Sequence, residues 1–142
     1  MHKLLSLTLL QLLMISCSRE NKATSPDIRH DKDCVEVLYF HGAQRCATCN
    51  VIEALTRQVV DSQFAHEVES GALVFQVVDI TTPEGEALAD RYEVAWSSLF
   101  VNQWHDGAES RHNLTEFAFA NARNRPEQFK AELINQISQL IE

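Results

Sequence analysis

Residues 41–50 read HGAQRCATCN, with Cys46 and Cys49 two residues apart directly after an apolar run. Upstream, CVEVLYF from Cys34 to Phe40 is rich in β-formers, and His41-Gly42 punctuates it. Downstream, Val51, Ile52, Leu55, Val59 and Val60 recur at helical spacing, which predicts a helix from Thr48 to about Ser62. The helix thus starts at or just inside the cysteine pair. Three uses of such a pair compete: a redox dithiol, half of a metal site, or a structural disulfide. Placement between strand and helix favours the first. The unpaired N–H groups and dipole of a helix N-terminus favour a thiolate, and a two-residue spacer lets the second thiol reach back to the first. In this geometry Cys46 is the exposed nucleophile and Cys49, one turn in, the shielded resolving thiol. Arg45, next to Cys46, either adds positive potential or is a solvated loop residue.

A structural zinc site needs four ligands, usually from a second Cys/His pair. His66, His105 and His112 show no such spacing, and His41 and Cys34 join the pair only if the fold brings them to it. Cys34, at the head of an apolar run, reads first as a small buried hydrophobe and second as a resolving or ligating thiol.

The rest of the chain alternates in the same way. Ala72–Ile80 is nearly continuous in apolar residues and predicts a central strand covered on both faces. Thr82 caps and Pro83 opens a helix with Leu88 and Tyr92 on its apolar face. Ser97–Trp104 predicts a strand, His105-Asp106-Gly107 a turn, and Ala108–Arg111 a short edge strand. Asn113-Leu-Thr-Glu116 has capping-box spacing ahead of Phe117 and Phe119. Pro126 opens a last helix with Phe129, Leu133, Ile137, Leu140 and Ile141 on one face. Such alternation predicts an α/β domain of crossover units around a small sheet.

With RCATC between a strand and a helix in this element order, residues 34–142 resemble a thioredoxin-like domain. The resemblance implies a small central mixed β-sheet flanked by helices and thiol–disulfide exchange as the activity, with Cys46 attacking and Cys49 resolving. It also implies a cis-proline facing the pair, and three other family features to compare. Arg45 stands where the family commonly has Trp, and Ala47-Thr48 stands in place of Gly-Pro. Phe40 lies about where thioredoxins keep a buried acid, so Glu53 or Glu36 is the candidate proton acceptor. His41, at the strand end, either lowers the thiol's pKa as an imidazolium or hydrogen-bonds within the loop. The cis-proline position falls at about Ser98, after Trp96-Ser97. A cis bond before a non-proline residue costs about 2.5–4 kcal/mol, so Ser97–Ser98 is expected to be trans. Serine there adds a backbone donor and a hydroxyl beside the dithiol. Trp96 either lines a substrate groove or packs in the core.

The N-terminus reads differently. Residues 1–17 hold a short polar start, an apolar run from Leu4 to Ile15 and then Cys17. A run of about 12 residues is too short to span a bilayer and reads as an export signal. Met14-Ile15-Ser16-Cys17 resembles a bacterial lipobox, which implies lipidation of Cys17; an ordinary signal peptide and a buried helix are the alternatives. Residues 18–33 are polar and charged and read as a tether, leaving residues 34–142 as one domain. A formal net charge of −8 argues against a nucleic-acid partner.

The expectation is a thiol–disulfide oxidoreductase of the bacterial cell envelope, lipid-anchored and facing the periplasm, or else soluble periplasmic or secreted. It needs no cofactor. Its partners are client protein thiols or disulfides and an envelope redox partner. From a different class comes the alternative, a scaffold domain whose pair is structural or binds a soft metal such as Cu(I).

Overall fold

The computed structural model describes residues 32–141. The signal-like segment 1–17 with Cys17, and the tether through residue 31, lie outside the described residues. No helix among the described residues is long and apolar enough to cross a membrane.

Four strands form one sheet: β1 (Cys34–His41), β2 (Leu73–Asp79), β3 (Ser98–His105) and β4 (Ala108–Asn113). Five helices connect and cover them: α1 (Ala47–Gln63), α2 (Ala65–Ser70), α3 (Pro83–Tyr92), α4 (Thr115–Asn121) and α5 (Pro126–Ile141). The strand order is β2-β1-β3-β4, with β2 parallel to β1 and β3 antiparallel to both β1 and β4. A parallel neighbour needs a crossover, supplied here by α1 and α2. This is the mixed, helix-flanked α/β sheet of the thioredoxin-like fold.

Strand alternation splits β1 between two cores. Val35, Val37 and Tyr39 point to one face, where Ile52, Val59 and Val60 of α1 meet Phe129, Leu133 and Ile137 of α5. Leu38 and Phe40 point to the other, against Val78, Phe100 and Leu88, Ala89 and Tyr92 of α3. Fully burying each large side chain contributes about 1.5–3 kcal/mol, so β1 is the anchor of the fold. Its end therefore holds the loop before Cys46 in a fixed place.

Several expectations need correction. The central strand is β1, not the 72–80 segment; β2 is an edge strand whose middle residues are only half-buried. Both of its faces are nonetheless partly covered: Leu73, Phe75 and Val77 pack on the core beneath α1, where Arg57 lies over the Phe75 ring at 5.2 Å, and Val78 packs on the core against α3. Helix α2 was not legible, because its six residues bury none of their side chains. At α4 the N-cap is Leu114, with no side-chain cap. Asn113 sits one residue earlier and accepts from the Thr115 N–H at 2.9 Å, so the capping box does not form.

Other local signals act as read. Thr82 accepts from the Gly85 N–H at 3.1 Å with Pro83 in the first turn. A Cβ on Gly85 would meet the Asp79 carbonyl oxygen at 1.9 Å, so only glycine lets α3 start this close to β2. Asp106 and Gly107, with φ of 50° and 73°, make the two-residue turn that aligns β4 with β3.

Candidate functional site

Strand β1 ends at His41, and five residues later Cys46 serves as the N-cap of α1. Its backbone is extended, and its sulfur accepts the Cys49 N–H at 3.0 Å, where a Ser or Asp oxygen ordinarily caps. Cys46 and Cys49 form a disulfide with Cα atoms 5.0 Å apart. Cys46 is exposed and Cys49 is buried at 6 % exposure, so one sulfur is open to a partner and the other is covered. The Cys49 N–H, an amide of the first helical turn, points at Cys46 Sγ. That donor and the helix dipole favour a thiolate there.

Below the pair lies a polar cluster. The Tyr39 hydroxyl donates to the Cys49 carbonyl at 2.7 Å, tying the first turn of α1 to the central strand. Burial pushes the Tyr39 phenol up, opposed by hydrogen bonding to Ser97 and Arg45. Arg45 is half-buried, packs 5.8 Å from the Tyr39 ring centroid and pairs with Glu53. It is not a solvated loop residue. Glu53 also pairs with Arg57 at 3.1 Å. Burial would raise the Glu53 carboxyl, but the two guanidinium partners outweigh it and hold its pKa below the usual value. Glu53 is thus a committed anion, poorly suited to take a proton from Cys49. The Arg45–Glu53–Arg57 group retains one net positive charge beside the pair.

Glu36 is no substitute. It is wholly buried, and Trp104 Nε1 donates to its Oε2 at 3.1 Å. It precedes His41 by five residues, roughly 16 Å along the strand at 3.3 Å per residue. Cys34 stands at the first residue of β1, still farther from the pair, and is buried. His41 Nδ1 lies 3.1 Å from the Gly42 carbonyl, which fits the loop hydrogen bond. Among the described residues, the one group of three potential metal ligands is Asp33, His105 and Asp106, exposed and at the opposite end of the sheet.

No cis peptide bond occurs among the described residues, so the Ser97–Ser98 bond is trans. The residue facing the pair is Ser97, not Ser98: Ser97 lines a cavity of about 380 Å³ together with Cys49, Gly42, Gln44 and Phe119. Ser98 is already in β3, opposite Phe40, and its hydroxyl donates to the Trp96 carbonyl at 3.1 Å. A one-residue shift at the start of a strand exchanges the two faces, which separates the surroundings of Ser97 from those of Ser98. Trp96 is 69 % exposed, so it belongs to the surface and not the core. It too lines the cavity beside Cys49. Neither Tyr39 nor Phe119 reads as a site residue in the sequence. Tyr39 reads there as one more apolar strand residue, and only the register of α1 against β1 makes its hydroxyl useful.

No protein-family profile and no curated protein matches the chain. Among solved structures it is similar to a thioredoxin from Thermus thermophilus, with 21% identity over 74% of each chain and a TM-score of 0.47. It is also similar to thioredoxin f2 of Chlamydomonas reinhardtii, with 12% identity, 80% of this chain and 88% of that one covered, and a TM-score of 0.47. A structure described as a malarial protein matches at 16% identity over 73% of this chain and 97% of the other, with a TM-score of 0.45. The chain's own strand order and cysteine placement carry more than these likenesses do. They define a protein of thioredoxin-like fold with a redox-type cysteine pair at disulfide distance, an arrangement suited to thiol–disulfide chemistry.

Proposed function

We propose that the protein is a thiol–disulfide oxidoreductase of the bacterial cell envelope that acts on client proteins through Cys46 and Cys49. The observation that carries this reading is the asymmetry of the pair. Cys46 is exposed and accepts a helix-start N–H, whereas Cys49 is buried behind it. In the reducing direction the Cys46 thiolate attacks one sulfur of a client disulfide, forming a mixed disulfide and releasing the other client sulfur as a thiolate. Cys49, having given its proton to solvent, attacks Cys46 Sγ; the Cys46–Cys49 bond forms and the second client thiolate leaves. Two electrons pass from the protein to the client, whose thiolates take up protons. A dithiol partner restores the reduced pair. The same steps in reverse oxidise a client dithiol, and the reduction potential of the pair against the envelope poise sets the direction.

The test is trapping. Cys49→Ser should accumulate mixed disulfides on Cys46 that dithiothreitol releases, and Cys46→Ser should accumulate none. Equal, weak trapping by both variants would overturn the reading.

We assign the protein to the envelope on the lipobox-like Met14–Cys17 segment, with lipid on Cys17 as the anchor and the domain facing the periplasm. One acyl chain alone binds a membrane only marginally, so a stable anchor of this kind carries more than one. Fractionation should find the wild type with membranes and Cys17→Ala released. Identical fractions would overturn the anchor.

A further inference from the structure

Trp96 is the most exposed large hydrophobic side chain among the described residues, and it stands between two cavities. One holds Cys49 and Ser97. The other, about 530 Å³, is bordered by Tyr92, Ser98, Asn113, Glu93 and Glu116. Trp96 lines both, so Cys49 borders the one and the two acids the other, and the pair of cavities that share the indole is the groove.

The acids at its far end are uncommitted. Among the described residues neither Glu93 nor Glu116 makes an ion pair or a side-chain hydrogen bond, and both are exposed. The nearby cation is occupied: Arg111 pairs with Glu109 at 2.8 Å, donates to the Arg91 carbonyl at 2.7 Å and lies 4.0 Å from the Tyr92 ring centroid. The groove thus ends in two exposed carboxylates that have no partner among the described residues, beside an exposed indole, on a chain of net charge −8.

We propose that this groove selects client segments that carry a basic residue, arginine above all, close to the reactive cysteine. A guanidinium stacks on an indole and pairs with carboxylates, and Trp96, Glu93 and Glu116 line the same cavity. An extended segment advances roughly 3.3 Å per residue, so two or three residues cross the indole. The client cysteine then sits at Cys46 while the cation sits between the acids. This rests on the exchange reading above and names the substrate class for it.

The experiment uses the reduced full-length protein and three kinds of disulfide. These are symmetric peptide disulfides with Arg three residues before or after the cysteine, the same peptides with Gln for Arg, and hydroxyethyl disulfide. The second-order rate constant should be about five- to tenfold higher for at least one Arg peptide than for its Gln counterpart, from two exposed charge pairs and one cation–π contact. The preference should shrink on going from about 50 to about 500 mM salt. The double variant Glu93→Gln with Glu116→Gln should lose it while keeping the hydroxyethyl disulfide rate. Removing two charges elsewhere, by Glu69→Gln with Glu132→Gln, should leave it in place. Exchange with no Arg preference, or a preference that survives loss of both acids, overturns the selectivity and leaves the exchange reading standing. No exchange with any of the three overturns both.

Discussion

The two ends of strand β1 carry the same pair of residue types in opposite circumstances. At its first residue Cys34 is buried, two positions from the buried carboxyl of Glu36. Just beyond its last residue Cys46 is exposed, in a helix-start position near the Arg45–Glu53–Arg57 group. Burial, with the charges of Glu36 and Asp33, pushes the Cys34 thiol from 9.0 up to about 11. At Cys46 a backbone donor and a retained positive charge act the other way. A thiol's chemistry here is set by exposure and by the sign of the nearest charges, not by its place on the central strand.

The sharpest way to break this contrast is to delete each thiol. Cys46→Ser should lower the rate of peptide-disulfide reduction by at least about a thousandfold, since the nucleophile itself is removed. Cys34→Ala should leave that rate within about twofold. Comparable losses from both would mean that Cys34 takes part in the chemistry. A second measurement separates stability from chemistry. Trp104→Phe removes the N–H that Glu36 accepts and should cost about 1–3 kcal/mol in urea unfolding. The reduction potential of the Cys46–Cys49 pair should stay put, because Trp104 and Glu36 lie toward the end of β1 away from the pair.

The alkaline limb sharpens the contrast further. A thiol whose pKa is raised on folding contributes stability below its unfolded value and loses it as pH rises through the folded one. For Cys34 that loss should fall between about pH 9 and pH 11, and Cys34→Ala should flatten this part of the stability profile. The smallest effect concerns Glu53. Glu53→Gln leaves Arg45 and Arg57 unneutralised beside the dithiol, which stabilises the reduced, thiolate form. The reduction potential should therefore rise by roughly 10 mV, measured against glutathione. A fall would mean that Glu53 matters through the packing of Arg45 instead of through charge.

The parts of the fold legible in the sequence were those governed by short-range rules. Thr82-Pro83, Asp106-Gly107 and the helical spacing after Cys49 each act through backbone geometry within a few residues, and each sits where it was read. Helix α2 has no buried face to announce it, and the 72–80 strand is as apolar as a central one although it lies at an edge. Within the site, Cys46 and Cys49 were legible from their spacing together with their place between a strand and a helix start. The pairing of Arg45 with Glu53, the Tyr39 bond to the Cys49 carbonyl and the exposure of Trp96 were not.

The sequence by itself therefore determined the α/β alternation, the helix start at the cysteine pair and the order in which the two thiols are presented. Those follow from periods of two and 3.6 residues and from the unpaired amides of a helix end. Only the tertiary structure decided which strand is central, that Ser97 and not Ser98 faces the pair, and that Glu53 is held as an anion by two arginines. These depend on strand register and on contacts between residues up to tens of positions apart, and a one-residue change of register reverses which side chain meets the site.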